Sequence, residues 1–187
     1  MDGTIKFAIV CWGVVIAFWI VTAFSVKRTR AQQPLLLRLL YLVLTVVAVL
    51  LVHGSARIVN WNRVALPHTL AIGILGDFFV LVGLLIAIWA RVTLGGNWSA
   101  KVSLKKNHEL IQRGPYRVVR HPIYSGLLLM TFGTAILVGK VGAFIILVMC
   151  FGGFWVKLRQ EEALLTQHLP GYSEYMRRTK ALVPFIF

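Results

Sequence analysis

The sequence predicts an all-α, polytopic membrane protein with about five transmembrane helices, and three observations lead to that fold class. Hydrophobic residues make up 58% of the 187-residue chain, and its mean hydropathy is +0.79. Several apolar runs approach or exceed the ~18–20 residues that a helix needs to cross a bilayer. Charged residues are only 14% of the chain and lie mainly beside those runs. We therefore expect a single integral membrane domain over residues 1–187.

The first half of the chain, residues 1–93, is expected to contain three spans. The basic cluster at 27–30 follows the first apolar run rather than preceding it, which favours an uncleaved span over a signal peptide. Asp77 interrupts the third run about two turns from its start. An acid at that depth is a functional candidate, although its place favours a water-accessible or hydrogen-bonded structural acid. The three spans run from Phe7 to Phe24, from Leu35 to Val52 and from Thr69 to Val92.

The second half, residues 94–187, should hold two further spans and most of the polar residues. The basic stretch at 101–120 is only weakly periodic, so we expect a loop with a short interfacial helix. A tight turn at Gly139-Lys140 joins spans four and five, and Pro170-Gly171 ends the charged helix that continues span five. The spans cover Ile123–Val138 and Val141–Val156, the extension reaches Leu169, and a terminal helix covers Ser173–Arg178.

The distribution of positive charge predicts the orientation. Sixteen of the twenty Lys and Arg residues fall on one face of the five-span arrangement, which the positive-inside rule assigns to the cytoplasm, with the N-terminus outside. The net charge of +14 is thus better explained by anionic lipid headgroups than by nucleic acid. Cys11 and Cys150 both lie in apolar runs, where a lone cysteine is a small packing residue. We expect neither a disulfide nor a metal site.

The polar chemistry concentrates in the block NHELIQRGPYRVVRHPIYSG, residues 107–126. Pro122 disfavours helical geometry at His121 but suits the first turn of a new helix. His121, Tyr124 and unpaired backbone N–H groups should therefore meet at a helix N-terminus, where an anionic group can bind. From these residues alone, a cationic interfacial anchor with an ordinary helix start explains the pattern equally well.

The short turn between spans four and five makes them antiparallel neighbours. The helix start at Arg120–Tyr124 must then lie near the charged stretch Lys157–Glu162. A basic helix start that faces the Glu161-Glu162 pair is a reasonable cage for a zwitterionic small molecule. A simple Arg–Glu clamp between the two helices fits the same spacing, so both interpretations stay open.

Three strings in the second half occur in a specific combination. They are LGGNWS, then NHELIQRGPYRVVRHPIYSG, and then EEALLTQHLPGYSEY followed by VPF. Together, and above all through GPYxxxRHPxYxG joined to a later Glu-Glu and GYxxY, they resemble the isoprenylcysteine carboxyl methyltransferase family. The chain is similar more broadly to membrane phospholipid methyltransferases. The resemblance covers about half the chain and identifies residues 94–187 as a methyltransferase-like catalytic half.

The resemblance implies S-adenosyl-L-methionine as the cofactor, bound on the cytosolic side. A basic residue one helical turn before the family's glutamate is associated with the substrate, and Lys157 occupies that position, with Arg159 as the alternative if the helix is rotated. Eukaryotic members carry Arg there, and the shorter N-terminal part points to a prokaryotic-type member in the cytoplasmic membrane. No catalytic residue and no metal ligand is assigned. The family's cofactor positions match His108, Glu109, Leu110, Ile111, Tyr116, His121, Pro122, Ile123, Tyr124 and Glu161.

The expected activity is methyl transfer at the membrane interface to a lipophilic or lipidated acceptor from the bilayer, with a carboxylate favoured. No GxGxxG follows a strand, so a Rossmann-type cofactor site is not expected. Three alternatives remain: a phospholipid N-methyltransferase, a membrane reductase of the sterol-reductase type that uses NADPH, and a membrane protein without enzymatic activity.

Overall fold

Helices make up most of the part of the chain that the structure, a computed structural model, describes. That part comprises residues 3–24, 60–98 and 110–184, together with the backbone of 29–32 and 103–105. The helices are α1 (Gly3–Ala23), α2 (Leu70–Leu94), α3 (Pro122–Val138), α4 (Val141–His168) and α5 (Tyr172–Arg178). Strands β1 (Thr29–Gln32) and β2 (Ser103–Lys105) pair antiparallel, and 3₁₀ turns cover Gly95–Asn97 and Gly114–Arg117.

The long helices have the length and composition of membrane spans. Helices α1, α2 and α4 are each long and apolar enough to cross a bilayer, and α3 is a shorter apolar helix of 17 residues. The predicted span from Leu35 to Val52 lies outside the described residues. The helical membrane fold is thus confirmed. Large apolar side chains point away from the protein along the spans, including Val10, Ile16, Ile20, Ile74, Phe78, Leu85, Trp89, Ile146 and Val148.

The predicted helix boundaries agree closely with the structure. The Thr69 hydroxyl accepts a hydrogen bond from the Ile72 amide and so caps the start of α2. Pro122 occupies the first turn of α3, where a missing N–H costs nothing. Helix α4 continues past Val156 to His168 without a break, and α5 follows a short turn.

The connection between α2 and α3 contains a strand that the sequence did not predict. The sequence predicts a loop with a short interfacial helix over residues 101–120. Of this stretch the structure describes 103–105 and 110–120, which contain strand β2 at Ser103–Lys105 and a 3₁₀ turn at Gly114–Arg117. The strand pairs with β1, the segment that follows α1. Strands of three or four residues are too short to show a clear alternation of polar and apolar residues. Their pairing also depends on a partner about seventy residues away in the chain, so it could not be predicted from the local sequence.

Helices α2 and α3 approach each other through pairs of glycines. A Cβ added to Gly83 would lie 2.6 Å from the Gly126 carbonyl oxygen, and one added to Gly133 would lie 2.6 Å from the Gly76 oxygen. Small residues allow this close backbone contact, which is a main source of helix association in a bilayer. Helix α1 joins the pair through the Trp12 indole N–H, which donates to Thr134 Oγ1 at 3.0 Å.

The α3–α4 hairpin turns at Gly139, as predicted. Gly139 has a φ of +63°, a left-handed conformation that ends α3 with a bond from its amide to the Ala135 carbonyl. The segment before α2 packs against this turn. The Ala65 amide donates to the Gly139 carbonyl, and the Gly142 amide donates to the Trp61 carbonyl. The turn therefore fixes α4 as the antiparallel neighbour of α3, which brings the two polar ends together.

Candidate active site

A cavity lies at the end of the helices opposite the α3–α4 turn. It is enclosed by the C-terminal end of α2, the 3₁₀ turn before α3, the first turn of α3, the second half of α4, and α5. All of its lining side chains come from residues 94–175. The apolar lining consists of Leu94, Leu110, Ile111, Ile123, Leu164, Leu165 and Leu169, and the aromatic and polar lining of Asn97, Trp98, Tyr116, Arg120, His121, Tyr124, Glu161, Tyr172 and Tyr175.

The first turn of α3 supplies a stack of rings to this cavity. Pro122 is fully buried and starts the helix, so His121 precedes it in a non-helical conformation, with φ −123° and ψ 57°. The His121 ring stacks on Tyr124, with centroids 5.5 Å apart and an angle of 10°. The Tyr124 ring stacks in turn on Phe154 of α4 at 4.9 Å. Packing on both sides therefore fixes the orientation of Tyr124.

The two adjacent glutamates of α4, Glu161 and Glu162, have different surroundings. Glu161 lines the cavity, and the Tyr124 hydroxyl donates to its Oε1 at 2.8 Å. His121 Nδ1 lies 3.7 Å from Glu161 Oε2. Successive helical positions differ by about 100° in direction, and Glu162 is not among the residues that line this cavity.

Glu162 forms the clamp that the sequence left open as an alternative. Arg120 Nε donates to Glu162 Oε1 at 2.6 Å, and His121 Nε2 lies 3.3 Å from the same oxygen. The Glu162 side chain is only 4% exposed. A cavity-lining glutamate and an Arg–Glu clamp therefore coexist on neighbouring residues.

Arg120 also holds the C-terminal segment behind the cavity. Its Nη1 donates to the carbonyls of Met176 and Thr179. The backbone of the same stretch continues this contact, because the Arg120 amide donates to the Lys180 carbonyl at 2.8 Å and the His121 amide donates to Ala181 at 3.0 Å. The segment after α5 is thus bonded directly to the residues that lead into α3.

Tyrosines of the turn before α3 and of α5 line the opposite wall. The Tyr175 hydroxyl donates to the Tyr116 carbonyl at 2.6 Å. Burial raises the pKa of Tyr175 to about 12, and burial also raises the pKa of Tyr116 and Tyr172 above the ordinary tyrosine value. All three hydroxyls therefore remain protonated at neutral pH, so this wall of the cavity carries no negative charge from its tyrosines.

Arg91 fixes the turn that carries two lining residues, Asn97 and Trp98, which were not predicted from the sequence. Its guanidinium donates to the carbonyls of Thr22 and Gly95 at 2.8 Å each and lies 4.7 Å from the centre of the Trp98 ring. Asn97 is 6% exposed, and its Oδ1 has no hydrogen-bond partner among the described residues. An unpaired buried acceptor that borders a cavity is available to a ligand.

The structure brings most of the predicted cofactor positions around this cavity. Pro122 lies behind it in the protein core, and His108 and Glu109 are outside the described residues. The cavity also contains Asn97, Trp98, Tyr172 and Tyr175, which were not predicted although the strings LGGNWS and GYSEY contain them. The predicted positions that line the cavity are Leu110, Ile111, Tyr116, His121, Ile123, Tyr124 and Glu161.

The two basic residues considered for the substrate point to different sides of α4. Lys157 Nζ lies 5.3 Å from the centre of the Tyr124 ring, beside the cavity-lining stack. Arg159 lies over the Trp155 ring at 5.8 Å, and its side chain is 64% exposed. Lys157, rather than Arg159, is therefore adjacent to Tyr124 and Glu161. Asp77 lies on α2 and is not among the residues that line the cavity.

Comparisons with known proteins agree on one family. The family model described as the isoprenylcysteine carboxyl methyltransferase (ICMT) family matches residues 74–167. The cobalt-zinc-cadmium resistance protein CzcN of Cupriavidus metallidurans is 30% identical over 144 residues, covering 76% of this chain and 60% of that protein. Protein-S-isoprenylcysteine O-methyltransferase B of Arabidopsis thaliana is 29% identical over 115 residues, covering 59% of this chain and 58% of that protein.

A solved structure also resembles this fold. The eukaryotic intramembrane Ras methyltransferase ICMT superposes with a TM-score of 0.53 at 25% sequence identity, covering 62% of this chain and 45% of that chain. The present chain spans about 60% of the length of the two sequence relatives.

Proposed function

Because this chain belongs to the isoprenylcysteine carboxyl methyltransferase family, we propose that it transfers a methyl group from S-adenosylmethionine to a lipophilic acceptor at the membrane surface. The observation that carries this proposal is the cavity at the polar end of α3 and α4. Seven side chains at positions that match the family's cofactor site surround it, six of them from residues 110–124 and the seventh, Glu161, from α4.

The chemistry of the lining supports binding of a zwitterionic sulfonium compound. Glu161 provides a carboxylate that would offset the cofactor's positive charge, and Asn97 provides a buried acceptor without a partner in the described chain. The first turn of α3 would attract the cofactor's carboxylate, because a helix N-terminus carries a partial positive charge. Apolar side chains such as Leu164 and Leu165 would enclose the less polar parts of the molecule.

The residues of this cavity would act by positioning and by excluding water. When bound, S-adenosylmethionine supplies an electrophilic methyl group for in-line displacement. Such a transfer requires alignment and partial desolvation, and an ionised carboxylate acceptor requires no general base. The stacked rings of His121, Tyr124 and Phe154 give the site a fixed wall. We therefore assign these residues to binding and orientation, and none to proton transfer.

The orientation of the site follows from charge. Exposed cations surround the cavity end of the helices, including Arg113, Arg117, Arg177 and Lys180. We propose that this end faces the cytoplasm and that the N-terminus lies outside, in line with the positive-inside rule. The cofactor would enter from the cytosol and the acceptor from the bilayer.

Lys157 is proposed to attract an anionic acceptor. It precedes Glu161 by one helical turn and lies over the Tyr124 ring. The replacement Lys157→Met should raise the apparent KM for a prenylcysteine-like carboxylate roughly tenfold or more, because a hydrogen bond to a charged group contributes about 1.5–3 kcal/mol. Lys157→Arg should retain activity or improve it, since guanidinium forms a bidentate pair with carboxylate. Steady-state kinetics of methyl transfer measure the KM and the activity of both variants. An increase in KM for Arg159→Met, with none for Lys157→Met, would reverse the assignment.

The proposed function is tested by following a labelled methyl group. Membranes that contain the protein are incubated with labelled S-adenosylmethionine and a farnesylcysteine analogue, and the products are separated from the phospholipids. We expect label in a base-labile methyl ester. Label in N-methylated phosphatidylethanolamine, unaffected by Lys157→Met, would instead identify a phospholipid N-methyltransferase.

A further inference from the structure

A second cavity lies beside the Arg120–Glu162 pair and is strongly basic. Its floor is formed by the buried residues Leu158 and Ala181. Its lining includes five cations, namely Arg120, Arg159, Arg177, Arg178 and Lys180, but only one acid, Glu162. Arg120 and Arg178 are paired with Glu162 and Glu174 respectively.

The cations at the rim are only partly neutralised by the part of the chain that the structure describes. Arg177 and Lys180 are exposed and form no ion pair with the residues that the structure describes. Arg159 lies 3.9 Å from Glu162 Oε2, an oxygen of a carboxylate that Arg120 already binds. The cavity therefore has a surplus of positive charge that an anion would balance, and guanidinium groups suit a phosphate in particular.

An aromatic ladder connects this cavity with the membrane-facing surface of α4. Phe151, Trp155 and Arg159 follow each other at four-residue intervals, so they share one face of the helix. The Phe151 and Trp155 rings are stacked, with centroids 6.3 Å apart, and the Arg159 guanidinium lies over Trp155. Phe151 is 41% exposed. The ladder thus passes from an apolar surface to a cation at the rim of the cavity.

We propose that this second cavity binds the phosphate-bearing headgroup of an anionic phospholipid, whose acyl chain lies along Phe151 and Trp155. The surplus cations supply the phosphate contacts, and the aromatic ladder supplies the apolar contact that a free phosphate ion would not use. Basic pockets at the cytoplasmic ends of membrane helices bind anionic headgroups in this way. The site lies on a different side of α4 from Glu161 and Lys157, and it does not depend on methyltransferase activity.

The test compares soluble short-chain lipids on the purified full-length protein in a non-ionic detergent. Dioctanoyl phosphatidylglycerol, dioctanoyl phosphatidylcholine and inorganic phosphate are titrated separately, and bound ligand is counted by native mass spectrometry. We expect phosphatidylglycerol to bind at least tenfold more tightly than phosphatidylcholine.

The double variant Arg177→Gln/Lys180→Gln should weaken phosphatidylglycerol binding roughly tenfold. The control variant Arg113→Gln/Arg117→Gln removes two exposed cations outside this cavity and should leave the affinity unchanged.

A second variant tests the acyl-chain contact. Trp155→Leu should weaken phosphatidylglycerol binding, and its thermal unfolding temperature is compared with that of the unmodified protein to confirm that it folds. Equal affinity for the two lipids, or equal losses in the cavity variant and the control variant, would overturn the proposal. Inorganic phosphate that binds as tightly as phosphatidylglycerol would show a soluble-anion site instead of a lipid site.

Discussion

Replacing Glu161 with Gln is expected to lower the affinity for S-adenosylmethionine roughly ten- to hundredfold while the protein still folds. Glu161 lines the cavity, and its carboxylate accepts from the Tyr124 hydroxyl. Gln keeps the shape and an acceptor for that hydroxyl but removes the negative charge that would offset the sulfonium. Equilibrium binding of labelled cofactor to the purified variant measures the loss.

The neighbouring glutamate provides a matched control. Glu162→Gln makes the same chemical change one residue away, but Glu162 is bonded to Arg120 and does not line the same cavity. This variant should lower the unfolding temperature more than Glu161→Gln does, with a smaller effect on cofactor affinity. Unchanged affinity in Glu161→Gln would show that both glutamates serve only to hold the helices together.

Replacing Arg120 with Met is expected to lower the free energy of unfolding by about 3–5 kcal/mol. The change leaves the buried Glu162 carboxylate without its guanidinium partner and removes the bonds from Arg120 to the carbonyls of Met176 and Thr179. The C-terminal segment should then be held to the residues that lead into α3 by fewer bonds, chiefly those from the Arg120 and His121 amides. Thermal and denaturant unfolding in detergent measures the loss of stability.

A double variant distinguishes an unpaired charge from a general packing defect. In Arg120→Met/Glu162→Leu the buried carboxylate is removed together with its partner, so much of the lost stability should return. Arg120→Lys keeps the positive charge but lacks the fork that bonds Glu162 and two carbonyls together, and it should be intermediate. If the double variant is no more stable than Arg120→Met, the ion pair is not the source of the effect.

The features that could be predicted from the sequence are those with local causes. Pro122 and Gly139 start and end α3 because ring geometry and a left-handed φ act within one or two residues. The two-residue turn at Gly139 then makes α3 and α4 neighbours, and this proximity does not depend on contacts with other segments. These local signals are sufficient to predict that His121 and Tyr124 lie near Glu161, as the structure has them.

The features that could not be predicted depend on distant partners or on helix rotation. The β1–β2 pairing joins segments with little signal of their own. The bonds from Arg120 to Met176 and Thr179 depend on how the segment after α5 folds back. Spacing also could not decide which glutamate lines the cavity, because a rotation of α4 by about 100° would exchange the roles of Glu161 and Glu162.

Calorimetric titration of the detergent-solubilised protein with two ligands decides whether the cavity beside Glu161 binds S-adenosylmethionine. We expect saturable heat with S-adenosylmethionine, a weaker isotherm with Glu161→Gln, and no binding of NADPH. Binding of NADPH but not of S-adenosylmethionine would contradict the assignment of this cavity and favour a membrane reductase, and binding of neither ligand would favour a protein without this enzymatic activity.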